Sequence, residues 1–316
     1  MLLSIVVPLY NEAEGIRTFH KSVLLPELKS PAVDSFEVIY VNDGSSDDTL
    51  HILHQLAKSD RSVRIVNLSR NFGKEIAVTA GISVAMGDAT IIMDGDGQHP
   101  PSKIPEFIAK WQEGAQVVVG IRNSNQKEGF IKKFGSKLFY KIFNATSGSS
   151  ITPRSTDYRL IDRAVQQEFG RFTERYRITR GLIDWLGFRR EFVEFDSPPR
   201  LAGQASYKTS QLIRLALNSF ISLSLKPLFA FGWVGLFITF WAFVIGIFII
   251  IEQVLLGDPM NLNFTGSAML GIFIAFMVGL VLTSQGIMAV YLSHVHAQTQ
   301  DRPLFVIDHR NSIGIK

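Results

Sequence analysis

The sequence predicts an α/β domain built on a doubly wound, mostly parallel sheet, with a membrane-embedded segment behind it. Through residues 1–208, short apolar runs alternate with helical stretches and charges are spread throughout, the pattern of strands joined by crossover helices. Beyond them, Pro227–Ile251 and Pro259–Gln300 contain no Asp, Glu, Lys or Arg. Both stretches exceed the roughly 20 apolar residues that cross a bilayer; a buried helical hairpin in a soluble protein is the alternative.

Leu3–Leu9 reads as the first strand, too short for a span and without the basic leading region of a signal peptide. Asn11 and Glu14 have capping-box spacing for a helix through the twenties. Phe36–Val41 is the second strand, and Asn42-Asp43-Gly44-Ser45-Ser46 turns into a helix beginning near Asp47. Val63–Leu68, Thr90–Met93 and Gln116–Gly120 are further strands, with helices near 74–86 and 102–112 between them.

In 209–226, Gln211, Arg214, Asn218, Ser222 and Lys226 form a narrow polar stripe on an otherwise apolar helix. That places it along a membrane interface, the alternative being a core helix of the soluble domain. The expected map is a domain at 1–208, this amphipathic helix at 209–227, a two-helix hairpin at 228–292 with spans at about 228–251 and 268–292, and a tail at 293–316. Lys208, Arg214 and Lys226 precede the first span and Arg302, Arg310 and Lys316 follow the second, while the loop between holds Glu252 and Asp258 but no Lys or Arg. Basic flanks stay on the cytoplasmic side, so the domain and the tail of this multi-pass cell-membrane protein are both expected there.

The 316 residues carry 32 Lys and Arg against 28 Asp and Glu, a net charge of +4. This mild excess suits an anionic ligand or an anionic leaflet, not nucleic acid, which calls for denser cationic patches. Cysteine is absent, which excludes disulfides, thiolate metal sites and a cysteine nucleophile.

Ile91-Ile92-Met93-Asp94-Gly95-Asp96-Gly97-Gln98-His99-Pro100 is the most informative run. An apolar strand ends in two carboxylates one residue apart, at the edge where α/β sheets open onto their ligands. Carboxylates at i and i+2 of an extended chain share a side, and two hard oxygen ligands suit Mg²⁺ or Mn²⁺ carrying a diphosphate. Taken alone, Asp-Gly-Asp reads equally as a polar turn. An EF-hand fails because its sixth position is His99 and its twelfth Pro105, and a dinucleotide fingerprint fails because its third glycine falls on Pro100. Three other loops, Pro8–Glu12, Asn42–Ser45 and Asn71–Lys74, follow the preceding strands and converge on the same edge.

In this order the loops resemble the inverting GT-A glycosyltransferases of family 2: Pro8–Glu12, Asp43-Gly44-Ser45, Asn71–Lys74 and Asp94-x-Asp96-x-Gln98-His99-Pro100. Within that family the chain is most similar to the polyprenyl-phosphate branch, the dolichol-phosphate mannose synthases and bactoprenol glucosyltransferases. The resemblance continues through Gly120-x-Arg122, Lys132-Lys133-x-x-Ser136, Thr156–Leu160, Arg200-x-x-Gly203-x-x-Ser206-Tyr207-Lys208 and Arg302–Ile307, nearly the whole chain.

It implies a GT-A fold in which Pro8, Tyr10, Glu12 and Asp43 hold the nucleotide base and ribose, with Lys74 also on the donor side. Asp94 and Asp96, with Gln98, would hold the divalent cation and the donor diphosphate. The implied acceptor is a polyprenyl phosphate, undecaprenyl in bacteria, largely dianionic near neutrality; Arg122, Lys132, Lys133, Ser136, Arg200 and Lys208 are its expected ligands. A solvated basic face is the alternative for Lys133. Asp157 occupies the family position closest to a catalytic base, working beside Asp96, but an ionised phosphate hardly needs one. Asp157 can instead orient Arg122 or a lysine, steady charge at the anomeric carbon, or simply cap a loop.

The sequence departs from the family's pattern at Asn42, where many relatives carry a second aspartate, and at Val290-Tyr291 near the second span, where relatives often carry a Glu before a Tyr. The resemblance favours UDP-glucose as donor, leaving GDP-mannose and amino sugars open, and implies self-association up to a tetramer. A polysaccharide synthase is disfavoured by the lack of Gln-x-x-Arg-Trp and by only two spans. A non-catalytic nucleotide-sugar binder is disfavoured by the intact Asp94/Asp96 pair.

Overall fold

The computed structural model describes residues 1–123, 154–175, 177–199 and 266–315, with isolated positions between 237 and 251. The chain divides into two units, Met1–Thr209 with Arg302–Lys316, and Ser210–Asp301.

In the first unit, β1 (Leu2–Leu9) leads into α1 (Ala13–Thr18), a π-helical turn (Phe19–Leu24) and α2 (Leu25–Leu28). Then come β2 (Ser35–Asn42), α3 (Thr49–Ser59), β3 (Val63–Asn67), α4 (Lys74–Val84), β4 (Ala89–Ile92), α5 (Ile104–Gln112), β5 (Val117–Arg122), β6 (Ser155–Asp162), α6 (Arg163–Phe169), α7 (Thr179–Trp185) and β7 (Arg190–Phe195). The sheet runs β3-β2-β1-β4-β6-β5-β7. Strands β1 to β4 pair in parallel, as do β5 and β7. The expected mostly parallel sheet is thus mixed, because β6 lies antiparallel between β4 and β5.

Burial on both faces explains the near-continuous apolar strands. Leu3, Ile5 and Val7 of β1 face one side, among Phe19, Tyr40 and Phe107. Val6 faces the other, with Ile39, Val41, Val66 and the small residues Ala77 and Ala80 of α4. Each large aliphatic side chain buried this way contributes about 1.5–3 kcal/mol.

The capping box at Asn11 is not formed. Helix α1 starts after Glu12 with no side-chain cap, and Asn11 adopts a φ of +55°. Its Oδ1 instead accepts the Ser46 N–H at 2.9 Å, because the turn after β2 offers that donor across the loop edge.

The residues from Arg302 onward do not stand apart as a free tail; they add a ragged strand to the outer edge of β3. Leu68 bridges Ile307 and Ile65 bridges Ile313, both antiparallel, and Ser69 donates to the Val306 carbonyl at 2.9 Å. Arg64 Nε donates to the Gly314 carbonyl at 2.7 Å. An edge strand with unpaired N–H and C=O groups is covered in this way.

In the second unit, α8 (Gly266–Thr299) runs 34 residues, roughly 50 Å at 1.5 Å per residue. Among the described residues it is the one helix long and apolar enough to cross a membrane, through Phe276–Ser293. The amphipathic helix expected at 209–227 lies outside the described residues, as does most of the first span expected at 228–251.

Candidate active site

The carboxyl ends of β1 to β4 place the four loops along one edge of the sheet. Strand β6 brings a fifth contributor. Ile92 at the end of β4 pairs with Arg159, so Asp157, two residues earlier on the antiparallel strand, lies just past the end of β4 beside Asp94.

Lys74, the first residue of α4, joins these two carboxylates. Its Nζ lies 2.6 Å from Asp94 Oδ1 and 3.0 Å from Asp157 Oδ2. Burial alone would raise the Asp157 carboxyl, but Lys74 and then Arg180 outweigh it and hold its pKa at about 2. Burial would likewise strip the proton from Lys74, and the two carboxylates reverse this, keeping it an ammonium. Glu75 is pushed up by burial and by the Asp157 charge, while accepting the Thr179 N–H at 2.8 Å. Lys74, Glu75, Asp157, Arg159, Thr179 and Arg180 line a narrow cleft here.

The Asp94-Gly95-Asp96 turn is tightly set. A Cβ on Gly95 would sit 2.6 Å from Leu9 Cδ2, so glycine lets the turn lie against the end of β1. His99 Nδ1 accepts the Asp94 N–H at 2.9 Å, and the ring stacks on Tyr158 with centroids 5.1 Å apart. Burial lowers the His99 pKa despite the Asp94 charge, which keeps Nδ1 available as an acceptor. Asp96 Oδ1 accepts the Gln98 N–H at 3.0 Å. The Gln98 carbonyl accepts from Ser197 Oγ at 3.0 Å, and Ser197 in turn accepts from Arg122. Arg122 thereby stands beside the acidic turn, its Nε buried with no hydrogen-bond partner among the described residues.

The donor set suits Mg²⁺ or Mn²⁺. Two carboxylates come from one turn, and among the described residues no group of three or more His, Cys, Asp or Glu forms a ready-made cage. Such ions are commonly held by one or two carboxylates with the remaining positions left to phosphate and water oxygens.

Asp43 is buried, and its carboxylate accepts the N–H groups of Phe72 and Gly73 at 2.7 and 2.9 Å. Burial raises its pKa, and those two N–H groups partly offset the rise. Each oxygen keeps a lone pair for a further donor. Gly44 follows with a φ of +64°, and a Cβ there would come within 2.5 Å of Asn71 N, so the second loop packs on the backbone of the third. In the first loop, Pro8 pairs with Val41 in register, Tyr10 is 49% exposed, and Glu12 N donates to Thr49 Oγ1 at 2.9 Å.

The fold thus brings Lys74, Asp94 and Asp157 into contact, with Asp96, Gln98 and Arg122 alongside; Pro8 lies at the end of β1, and Tyr10, Glu12 and Asp43 lie on the first two loops. Lys132, Lys133, Ser136, Arg200 and Lys208 lie outside the described residues. Glu75, Thr179, Arg180 and Ser197 were not expected. Glu75 sits next to Lys74 in sequence, a usable signal; the other three come from distant segments with none.

Residues 4–170 match the family model described as Glycosyl transferase family 2. An uncharacterized glycosyltransferase of Synechocystis is 39% identical over 305 residues, 96% of this chain and 94% of that protein. The SfII prophage-derived bactoprenol glucosyl transferase of Shigella flexneri is 35% identical over 315 residues, 99% of this chain and all (100%) of that protein. Among solved structures, glucosyl-3-phosphoglycerate synthase from Mycobacterium tuberculosis, crystallised with Mn²⁺, UDP and glucosyl-3-phosphoglycerate, shares the fold with a TM-score of 0.51 at 20% identity, covering 70% of this chain and 78% of that one.

Proposed function

Because the chain belongs to glycosyltransferase family 2, we propose that it transfers glucose from UDP-glucose to a polyprenyl phosphate at the membrane, inverting the anomeric carbon. The observation that carries this reading is similarity to a bactoprenol glucosyl transferase over 99% of the chain, the apolar segment included.

In this reading Pro8, Tyr10, Glu12 and Asp43 hold the base and ribose, and Asp94, Asp96 and Gln98 face the diphosphate. When bound there, Mg²⁺ or Mn²⁺ neutralises charge on the leaving diphosphate. Arg122, Lys132, Lys133, Ser136, Arg200 and Lys208 bind the lipid phosphate. A phosphate oxygen bonds to the anomeric carbon as the carbon–oxygen bond to UDP breaks, and UDP carries away the electron pair. The nucleophile is already ionised, and a carboxylate held at about 2 takes up protons poorly. Asp157 therefore acts by fixing Lys74 and by countering positive charge at the anomeric carbon. The interfacial helix at 209–227 and spans at 228–251 and 268–292 keep the domain on the cytoplasmic face, and the protein self-associates.

The test is mass analysis of lipid products from membranes containing the protein, incubated in turn with UDP-glucose, UDP-N-acetylglucosamine and GDP-mannose. A hexosyl polyprenyl phosphate from UDP-glucose is expected. A product only from another donor overturns the sugar, and no lipid-linked product from any donor overturns the acceptor.

A further inference from the structure

Asp94 is expected to bind a divalent ion, yet one of its oxygens already faces a cation. Lys74 Nζ lies 2.6 Å from Asp94 Oδ1, a charge-assisted contact that takes up one of the lone pairs a metal on that carboxylate would use. An ion at about 2.0–2.1 Å from the same carboxylate would stand within a few ångströms of the ammonium, with strong repulsion in a partly buried site. The two cations compete for one partner.

Lys74 has somewhere to go. It follows Gly73 at the start of α4, so its backbone is fixed while its four-carbon side chain can swing. Asp157 Oδ2, at 3.0 Å, is a second anchor that does not depend on Asp94.

We propose that Lys74 is the resident counter-cation of Asp94, displaced when a divalent metal arrives together with a nucleotide diphosphate. Asp157 is the pivot, and the incoming diphosphate supplies the negative charge that Lys74 gives up at Asp94. This makes Lys74 a positioning residue that links two ligands: metal binds weakly without nucleotide and tightly with it. Linkage is reciprocal, so metal raises nucleotide affinity by the same factor. The inference rests on Asp94 and Asp96 being the metal carboxylates.

The experiment measures Mn²⁺ binding to the purified full-length protein by the paramagnetic signal of the free ion, with and without UDP. In the unaltered protein, UDP should tighten Mn²⁺ binding tenfold or more (on the order of 1.4 kcal/mol). Lys74→Gln should tighten nucleotide-free Mn²⁺ binding about tenfold and shrink the UDP effect correspondingly, whereas Lys74→Arg, which keeps the charge, should behave like the unaltered protein. Lys103→Gln, which removes a charge from an exposed pair with Glu106, controls for net charge and should change Mn²⁺ affinity little. Thermal melts confirm that each variant is folded. The proposal is overturned if Lys74→Gln leaves nucleotide-free Mn²⁺ affinity unchanged or weaker, or if Lys103→Gln tightens it equally. Absence of Mn²⁺ binding to the unaltered protein even with UDP overturns the metal assignment beneath it, a distinguishable result.

Discussion

The carboxylate of Asp43 accepts the backbone N–H groups of both Phe72 and Gly73, so one side chain after β2 fixes the loop after β3. Removing it leaves two partly buried donors unmatched, at a cost of about 1–3 kcal/mol each. Asp43→Ala should lower the melting temperature and raise the KM for the nucleotide sugar roughly tenfold, with a smaller change in the KM for lipid phosphate. Asp43→Asn keeps one acceptor and should fall between. Equal effects on both substrates would show that the loop does not serve the donor alone.

Asp157, with a pKa of about 2, is ionised at every pH at which the reaction can be followed. The acidic limb of the pH–rate profile should instead track the second ionisation of the acceptor phosphate, near 6. Asp157→Asn should reduce kcat by roughly 10²-fold while leaving that limb where it is. Loss of the limb in the variant would make Asp157 the base after all.

Asp96→Asn should remove lipid-linked product, by about a hundredfold or more, while the protein still inserts in membranes. Unchanged product would refute Asp96 as a metal ligand.

His20 is buried, with Nδ1 2.9 Å from the Tyr40 hydroxyl and Nε2 3.4 Å from Asp60 Oδ2. Burial lowers its pKa from 6.5, outweighing the opposing pull of Asp60. Below 6.5 the unfolded chain takes up a proton that the folded protein still refuses. Stability is therefore full above that value and declines as pH falls toward the lower folded pKa, by at most about 1.4 kcal/mol per pH unit. Urea melts at a series of pH values should show this slope, and His20→Phe should flatten it. A slope that survives the substitution places its source elsewhere.

Arg159 and Asp184 form an ion pair at 2.8 Å with side chains 1% and 2% exposed. Arg159→Ala should destabilise the domain by about 3 kcal/mol, because it leaves the buried Asp184 carboxylate with only the longer pairing to Arg190, at 3.4 Å. Replacing both partners with apolar residues should recover much of the loss, as denaturant melts would show.

How much of this was legible beforehand followed from how locally each feature is encoded. Strands β1 to β5 lie within two residues of their expected limits, since doubly buried strands must be continuously apolar and are separated by helices. Strands β6 and β7 were not expected: Ser155–Asp162 interleaves polar residues, and Arg159 is tolerated in the sheet because Asp184 meets it from α7 and the Thr156 and Arg180 carbonyls accept its other N–H groups. The carboxylate turn and its loops could be named from their residue types. Their partners could not, because nothing near Asp94 in sequence says that Lys74 reaches it, and nothing near Asp43 says that its oxygens face Phe72 and Gly73. Asn11 misled because capping-box spacing does not reveal a left-handed φ. The residues after Arg302 looked like an appendage because pairing with an edge strand leaves no periodic mark in so short a stretch.

The pairing of β3 with residues 306–313 also has a temporal meaning. The ribosome emits all seven strands first, then the long apolar segment, and only afterward the piece that covers Ile65 and Leu68. Until then the edge beside Asn67 is bare, and Asn67 lacks its contacts to Asp308 and Ser312. The outer edge of β3 cannot be covered ahead of the apolar segment; birth order makes completion of the sheet wait until that segment has left the ribosome.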